Sequence, residues 1–134
     1  MIDIENEVFD TIAKALRTEY PSISVLGEYT QVPASFPVVT IEEKSNSVYG
    51  RTMDSSGNEN HADVMYEVNV YSNSRYKKSE CKAIFQVLDG EFNRLGFRRI
   101  MKQPIINAAD TKVYRLVGRY TGIVSANKRV YRGY

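Results

Sequence analysis

The chain has 134 residues, 43% of them hydrophobic and 25% charged, which suits one globular domain around one core and leaves too little chain for two. Its one cysteine, Cys81, excludes an intramolecular disulfide framework and a cysteine-based zinc site. The net charge of +2 hides a division: residues 1–93 hold 8 Lys/Arg against 15 Asp/Glu, whereas residues 94–134 hold 10 Lys/Arg and one acid, Asp110.

That division fits three readings. The two halves can attract each other within one fold, the basic surface of one subunit can meet the acidic surface of the next, or the basic half can meet nucleic acid. The opening residues, MIDIENEVFD, lack a basic leader and a continuous apolar run, and no later segment approaches the length of a membrane span. A soluble protein made in a cytoplasm is expected, with no membrane partner.

Phe9, Ile12, Ala13 and Leu16 follow helical spacing, with Glu7, Asp10, Lys14 and Arg17 opposite, so residues 4–19 are expected to form an amphipathic helix that ends at Tyr20-Pro21. SISVLGEY and FPVVTIEEK read as strands separated by the turn-like QVPAS. In DVMYEVNVY, Val64, Tyr66, Val68 and Val70 alternate onto one face. Between the second and third strands, Ser45 to Ala62 is rich in Ser, Asn and Gly. It is either a disordered loop or an extended hairpin arm, with Tyr49, Arg51, Met53 and Asp54 as candidate arm residues.

The second helix carries the strongest pattern. Cys81, Ile84, Phe85, Leu88, Phe92 and Leu95 make a continuous apolar stripe. Ser74 is the expected N-cap, Gly96 fits the left-handed position after the last turn, and Phe97 is expected to pack on Phe92. Arg75, Lys77 and Lys78 fall in the expected first turn, where the helix dipole prefers acids, so a phosphate, a partner's carboxylates or water must compensate. After the helix come FRRIMKQP and TKVYRLVGRYTGIVSA, both extended, and the basic aromatic tail NKRVYRGY. In chain order the reading is helix, two strands, long loop, strand, helix, and two or three strands.

Chemistry-bearing residues are sparse. His61 is the sole histidine, with no carboxylate or cysteine spaced to form a metal site or a triad with it. Cys81 lies on the apolar stripe and reads as a small buried hydrophobe. Glu42 and Glu43 alternate across a strand and point to opposite faces, which makes them a poor catalytic pair. YSNSRYKKSE contains no glycine and is a weak phosphate cradle. No cofactor, no metal site and no enzymatic activity are expected. The basic stretch with Tyr114, Tyr120, Tyr131 and Tyr134 among Arg115, Arg119, Lys128, Arg129 and Arg132 invites a single-strand nucleic-acid reading, but neither strand face is a clean aromatic platform.

The N-terminal amphipathic helix, ASFPVVTIEE, the long polar loop, MYEVNVYSNS running directly into KKSECKAIFQVLDGEFNRLGF, and a closing pair containing VYRLVGRYTGIV resemble the tail terminator family among the small neck proteins of long-tailed bacteriophages. The resemblance covers most of the chain, and head-completion proteins of the same neck share much of the pattern. It implies a single tail-terminator-like α+β domain over residues 1–134, a mainly antiparallel sheet with two amphipathic helices packed against it. It also implies a non-enzymatic virion protein: a homohexameric ring on the head-proximal end of the tail tube, contacting the tube protein and the head connector, with DNA passing through the lumen. On that basis Arg75, Lys77 and Lys78 are expected to face Asp3, Glu5, Glu7 and Asp10 of an adjacent subunit. Arg98, Arg99, Arg115, Arg119, Lys128, Arg129 and Arg132 form a basic surface toward either the lumen or an acidic partner.

Overall fold

A computed structural model describes residues 1–30, 33–50, 60–107 and 110–131. The element order is α1 (Glu5–Glu19), β1 (Ser24–Leu26), β2 (Val38–Val48), β3 (His61–Ser72), α2 (Lys77–Leu95), β4 (Arg98–Pro104), β5 (Tyr114–Ser125) and β6 (Val130–Tyr131). The strands form one sheet in the order β1-β2-β3-β5-β4, with β6 extending the β4 edge of β5. Only the β1–β2 pairing is parallel. The α+β class with a mainly antiparallel sheet is therefore present as expected.

Both helices pack on one face of this sheet. Val8, Ile12, Ala13 and Leu16 are the buried stripe of α1, and Cys81, Ile84, Phe85, Leu88 and Phe92 that of α2. They meet Val64, Tyr66, Val68 and Val70 of β3 and Leu116, Tyr120 and Val124 of β5, the inward positions of a period-two pattern. The aromatic centre is interlocked: Phe92 stacks on Tyr120 with centroids 4.2 Å apart, and Phe97 meets Phe92 and Tyr66 edge-on at 5.6 and 5.4 Å. Beside this centre Gly118 lets the Phe85 ring lie against β5, because an added Cβ would be 2.5 Å from that ring.

The end of α2 follows its sequence. Gly96 has φ 104°, its N–H donates to Asn93, and the Phe97 N–H donates to the Phe92 carbonyl, both at 3.0 Å. This pair of bonds is the Schellman pattern, closed by the Phe92–Phe97 contact. The start departs from expectation. The helix begins at Lys77 with Tyr76 as the flanking residue and no side-chain cap. Ser74 does not cap it; the Ser74 N–H instead donates to Ser72 Oγ at 3.2 Å. The reason is local: that bond holds Ser74 in a Ser-X-Ser turn, and the helix starts only at Lys77, beyond the position that a Ser74 cap would serve.

The first residues of the polar segment Ser45–Ala62 belong to β2. Ser45, Asn46, Ser47 and Val48 pair with Met65, Val64, Asp63 and Ala62, beyond a bulge at Lys44. The Tyr49 N–H continues the pairing to the His61 carbonyl at 2.9 Å. The base of this segment is thus a hairpin, while Arg51, Met53 and Asp54 lie outside the described residues.

Candidate assembly surfaces

The two helices run antiparallel. The first half of α1 lies against Leu95 and Phe97, while Tyr20, just past its end, approaches Glu80 at the start of α2. The acidic set Asp3, Glu5, Glu7 and Asp10 and the basic set Arg75, Lys77 and Lys78 therefore occupy opposite ends of the helix layer. Each set also has partners within the chain. Asp3 Oδ1 accepts from the Glu5 N–H at 3.0 Å, Glu5 Oε2 accepts from the Glu43 N–H at 3.3 Å, and Glu7 pairs with Lys128 at 2.6 Å. Asp10 is exposed on α1.

At the other end, Arg75 precedes the helix and lies over the Tyr76 ring at 5.7 Å. Lys77 Nζ donates to the Lys112 carbonyl at 2.9 Å, and Lys78 is exposed. The acid that the helix dipole favours is supplied from the same chain. Glu80 sits in the first turn and accepts a 2.7 Å bond from Ser72 Oγ.

The basic C-terminal half is spread over the sheet and much of it is paired. Arg99 meets Asp89 at 3.0 Å, and the Tyr120 hydroxyl donates to the same carboxylate oxygen at 2.6 Å. Arg119 meets Glu67 directly across the β3–β5 ladder at 2.9 Å. Arg115 donates to Asn69 Oδ1 at 2.8 Å and lies over the rings of Tyr29 and Tyr71 at 5.0 and 5.7 Å. Tyr71 is buried beneath this group, donates to the Thr30 carbonyl, and burial pushes its hydroxyl up to about 12. Arg98 and Arg129 are exposed, and Arg132 lies outside the described residues.

These arginines divide between faces. Arg115 and Arg119 point to the helix-free face, with Glu67, Asn69, Asp63 and Thr121, whereas Arg99 reaches α2. Glu42 and Glu43 separate as expected: Glu42 pairs with Lys44 at 2.5 Å, while Glu43 accepts from Tyr66 on the helix side. Burial holds the Glu43 carboxyl above its ordinary range, opposed by the Tyr66 hydrogen bond and reinforced by Glu5 and Asp3. The Lys44 ammonium does the reverse to Glu42, holding it below that range.

Cys81 is fully buried and its Sγ contacts the Val70 and Tyr114 carbonyls, and burial pushes its thiol up to about 12. A thiol in that state is not a ready nucleophile at neutral pH. His61 lies between the rings of Tyr49 and Tyr131, at 6.5 and 6.1 Å. Among the described residues, no group of three or more His, Cys, Asp or Glu side chains is placed to hold a metal ion, and no helix is long and apolar enough to cross a membrane.

Sequence reasoning missed the partners of the arginines. Asp89 was legible only as a polar helix position, and Asn69 only as a polar strand position. A register for β3 against β5 would have identified Glu67–Arg119, because directly opposed residues of unlike charge are a favoured cross-strand pair. No family model matches the sequence, and no curated protein matches it.

Proposed function

We propose that this chain is a structural subunit of a phage neck, a tail terminator whose ring caps the head-proximal end of the tail tube and offers the joining surface for the head. The observation that carries the reading is the division of the sheet. Two helices close one face, while the other carries the Glu67–Arg119 and Glu42–Lys44 ion pairs beside a small apolar cluster of Val38, Tyr71 and Val113, and the β2–β3 ladder runs on to Val48, which is 47% exposed. Such a subunit has a rigid body and several sides on which neighbours can sit. Its activity is geometric: a ring seated on the last tube ring removes the template for the next one, and its opposite side carries a different surface. The family pattern quoted from the sequence supplies the biological setting.

Tail length, measured by electron microscopy in lysates lacking the gene, tests this directly. Overlong or irregular tubes without heads are the expected outcome. Tubes of normal length that fail to join heads would move the protein to the head-completion side of the neck, and wild-type particles would overturn both assignments.

A further inference from the structure

The two edges of the sheet carry opposite charge. On one side, β1 covers β2 only from Val38 to Thr40, so β2 from Ile41 to Val48 has no strand partner on its outer side among the described residues. Along this stretch the Glu43 N–H donates to Glu5 Oε2 and Asn46 Nδ2 donates to the Ile2 carbonyl, so the start of the chain lies beside its middle, and the exposed Glu28 follows β1. Among the described residues no cation pairs with any of these three acids, and Lys44, the nearest positive group on the strand, is held by Glu42. On the other side, β4 and β6 follow one another along β5, β4 opposite Leu116–Thr121 and β6 opposite Ile123–Val124. Their edge exposes Arg98, Lys102 and Arg129, none of which pairs with a carboxylate among the described residues, and Ile100, which is 48% exposed.

We propose that these edges are the contact between subunits: the free half of β2 in one copy meets the β4–β6 edge of the next, head to tail. The contact rests on the ring reading and identifies which surfaces build the ring. Three features favour a second copy as occupant. Glu5 and Glu28 complement Arg98, Lys102 and Arg129, so a single chain carries both halves of the interface. Like edges repel: β4 against β4 sets arginine and lysine against themselves, and β2 against β2 does so with glutamates, which leaves the heterologous arrangement that generates rings. Strand direction also agrees, because β2 and β4 run oppositely within one sheet and would meet antiparallel between copies of matching orientation.

The edges also carry devices that limit indiscriminate pairing. Each has a bulge, at Lys44 and at Ile100, and β4 ends at Pro104, which has no N–H to donate. Side-chain charge, not an unbroken run of backbone bonds, therefore sets the register of the contact.

Site-directed cross-linking of the full chain tests it. Ser45 and Gln103 are exposed, uncharged positions on the two edges, and buried Cys81 stays out of reach of a maleimide. The double variant Ser45→Cys, Gln103→Cys, treated with a flexible bis-maleimide at low salt both as free protein and in particles, is expected to give a ladder of linked multimers. A mixture of the two single variants should give pairs and nothing larger. Adding Arg98→Glu and Lys102→Glu should abolish the ladder, and adding Glu5→Lys and Glu28→Lys to that chain should restore it. Linked pairs from Gln103→Cys alone, or no ladder in either free protein or particles, would overturn the contact. A ladder together with wild-type particles after gene deletion would keep the contact and remove the neck function; overlong tubes with no ladder would do the opposite.

Discussion

The covered face and the open face of this sheet are built from the same long strands by opposite means. On the covered face, Tyr66 and Tyr120 interlock with Phe92 and Phe97, and all four rings are buried. On the open face, Glu67 meets Arg119 and the buried Asn69 meets Arg115, with the arginines on the solvent side of each pair. Close packing gives the first face a steep dependence on shape, since a missing ring leaves a cavity that its neighbours fill only partly. The second face depends on charge in high dielectric, where each pair contributes little to folding. The covered face therefore holds most of the core, and the open face, apart from the small cluster of Val38, Tyr71 and Val113, is freer to vary with whatever it touches.

The sharpest way to break this comparison is to remove a ring from the covered face. Phe92→Ala deletes the stacking partner of Tyr120 and the side chain that closes the Schellman turn, and is expected to cost about 3–5 kcal/mol in denaturant unfolding. A loss below about 1 kcal/mol would show that the aromatic centre repacks and that the faces differ less than their geometry suggests.

A smaller effect is expected from the open face. A double-mutant cycle with Arg119→Ala and Glu67→Ala should give a coupling of about 0.2–1 kcal/mol that shrinks with added salt, because the Arg119 guanidinium side of the pair is open to water. A coupling several times larger and insensitive to salt would mean that this face is shielded in solution.

The smallest effect has the opposite sign. Glu43 lies at the edge of the covered face, and burial raises its carboxyl above the ordinary value of 4.5, so folding favours the protonated form. Ionised Glu43 thus costs stability at neutral pH, and this cost disappears as the pH falls through the raised value to 4.5 and below. Glu43→Gln keeps an acceptor for Tyr66 and is expected to gain a few tenths of a kcal/mol at neutral pH, with the advantage vanishing in acid. Glu7 and Glu42, held below that value by Lys128 and Lys44, contribute stability above 4.5 that is lost as the pH falls through their lowered values. A variant less stable than wild type at neutral pH would show that Glu43 is stabilised as an anion.

The covered face was legible in the sequence, because burial imposes a period: 3.6 on Cys81, Ile84, Phe85 and Leu88, and 2 on Val64 to Val70. The cap at Gly96 was legible for the same reason, since few residues accept that backbone angle. What escaped were features held by hydrogen bonds that many residue types can make. Ser45–Val48 read as loop because a ladder exposed on one side needs no apolar alternation, and β6 was hidden in a tail of charges. Ser74 looked like a cap because serine bonds equally well to a turn. Among the candidate site residues, the sequence supplied the arginines but not their partners. Asp89, Glu67 and Asn69 acquire meaning only from the register of the sheet.

The pairing of Glu7 with Lys128 joins residues 121 positions apart, above a groove whose floor is Ile4, Val8, Leu95, Phe97 and Val130. During synthesis the first turns of α1 thus leave the ribosome long before Val130 exists to cover them. The beginning of the chain can complete its packing only after translation has passed that point, so each newly made subunit reaches its finished shape, and the surfaces a neighbour would read, as a late event.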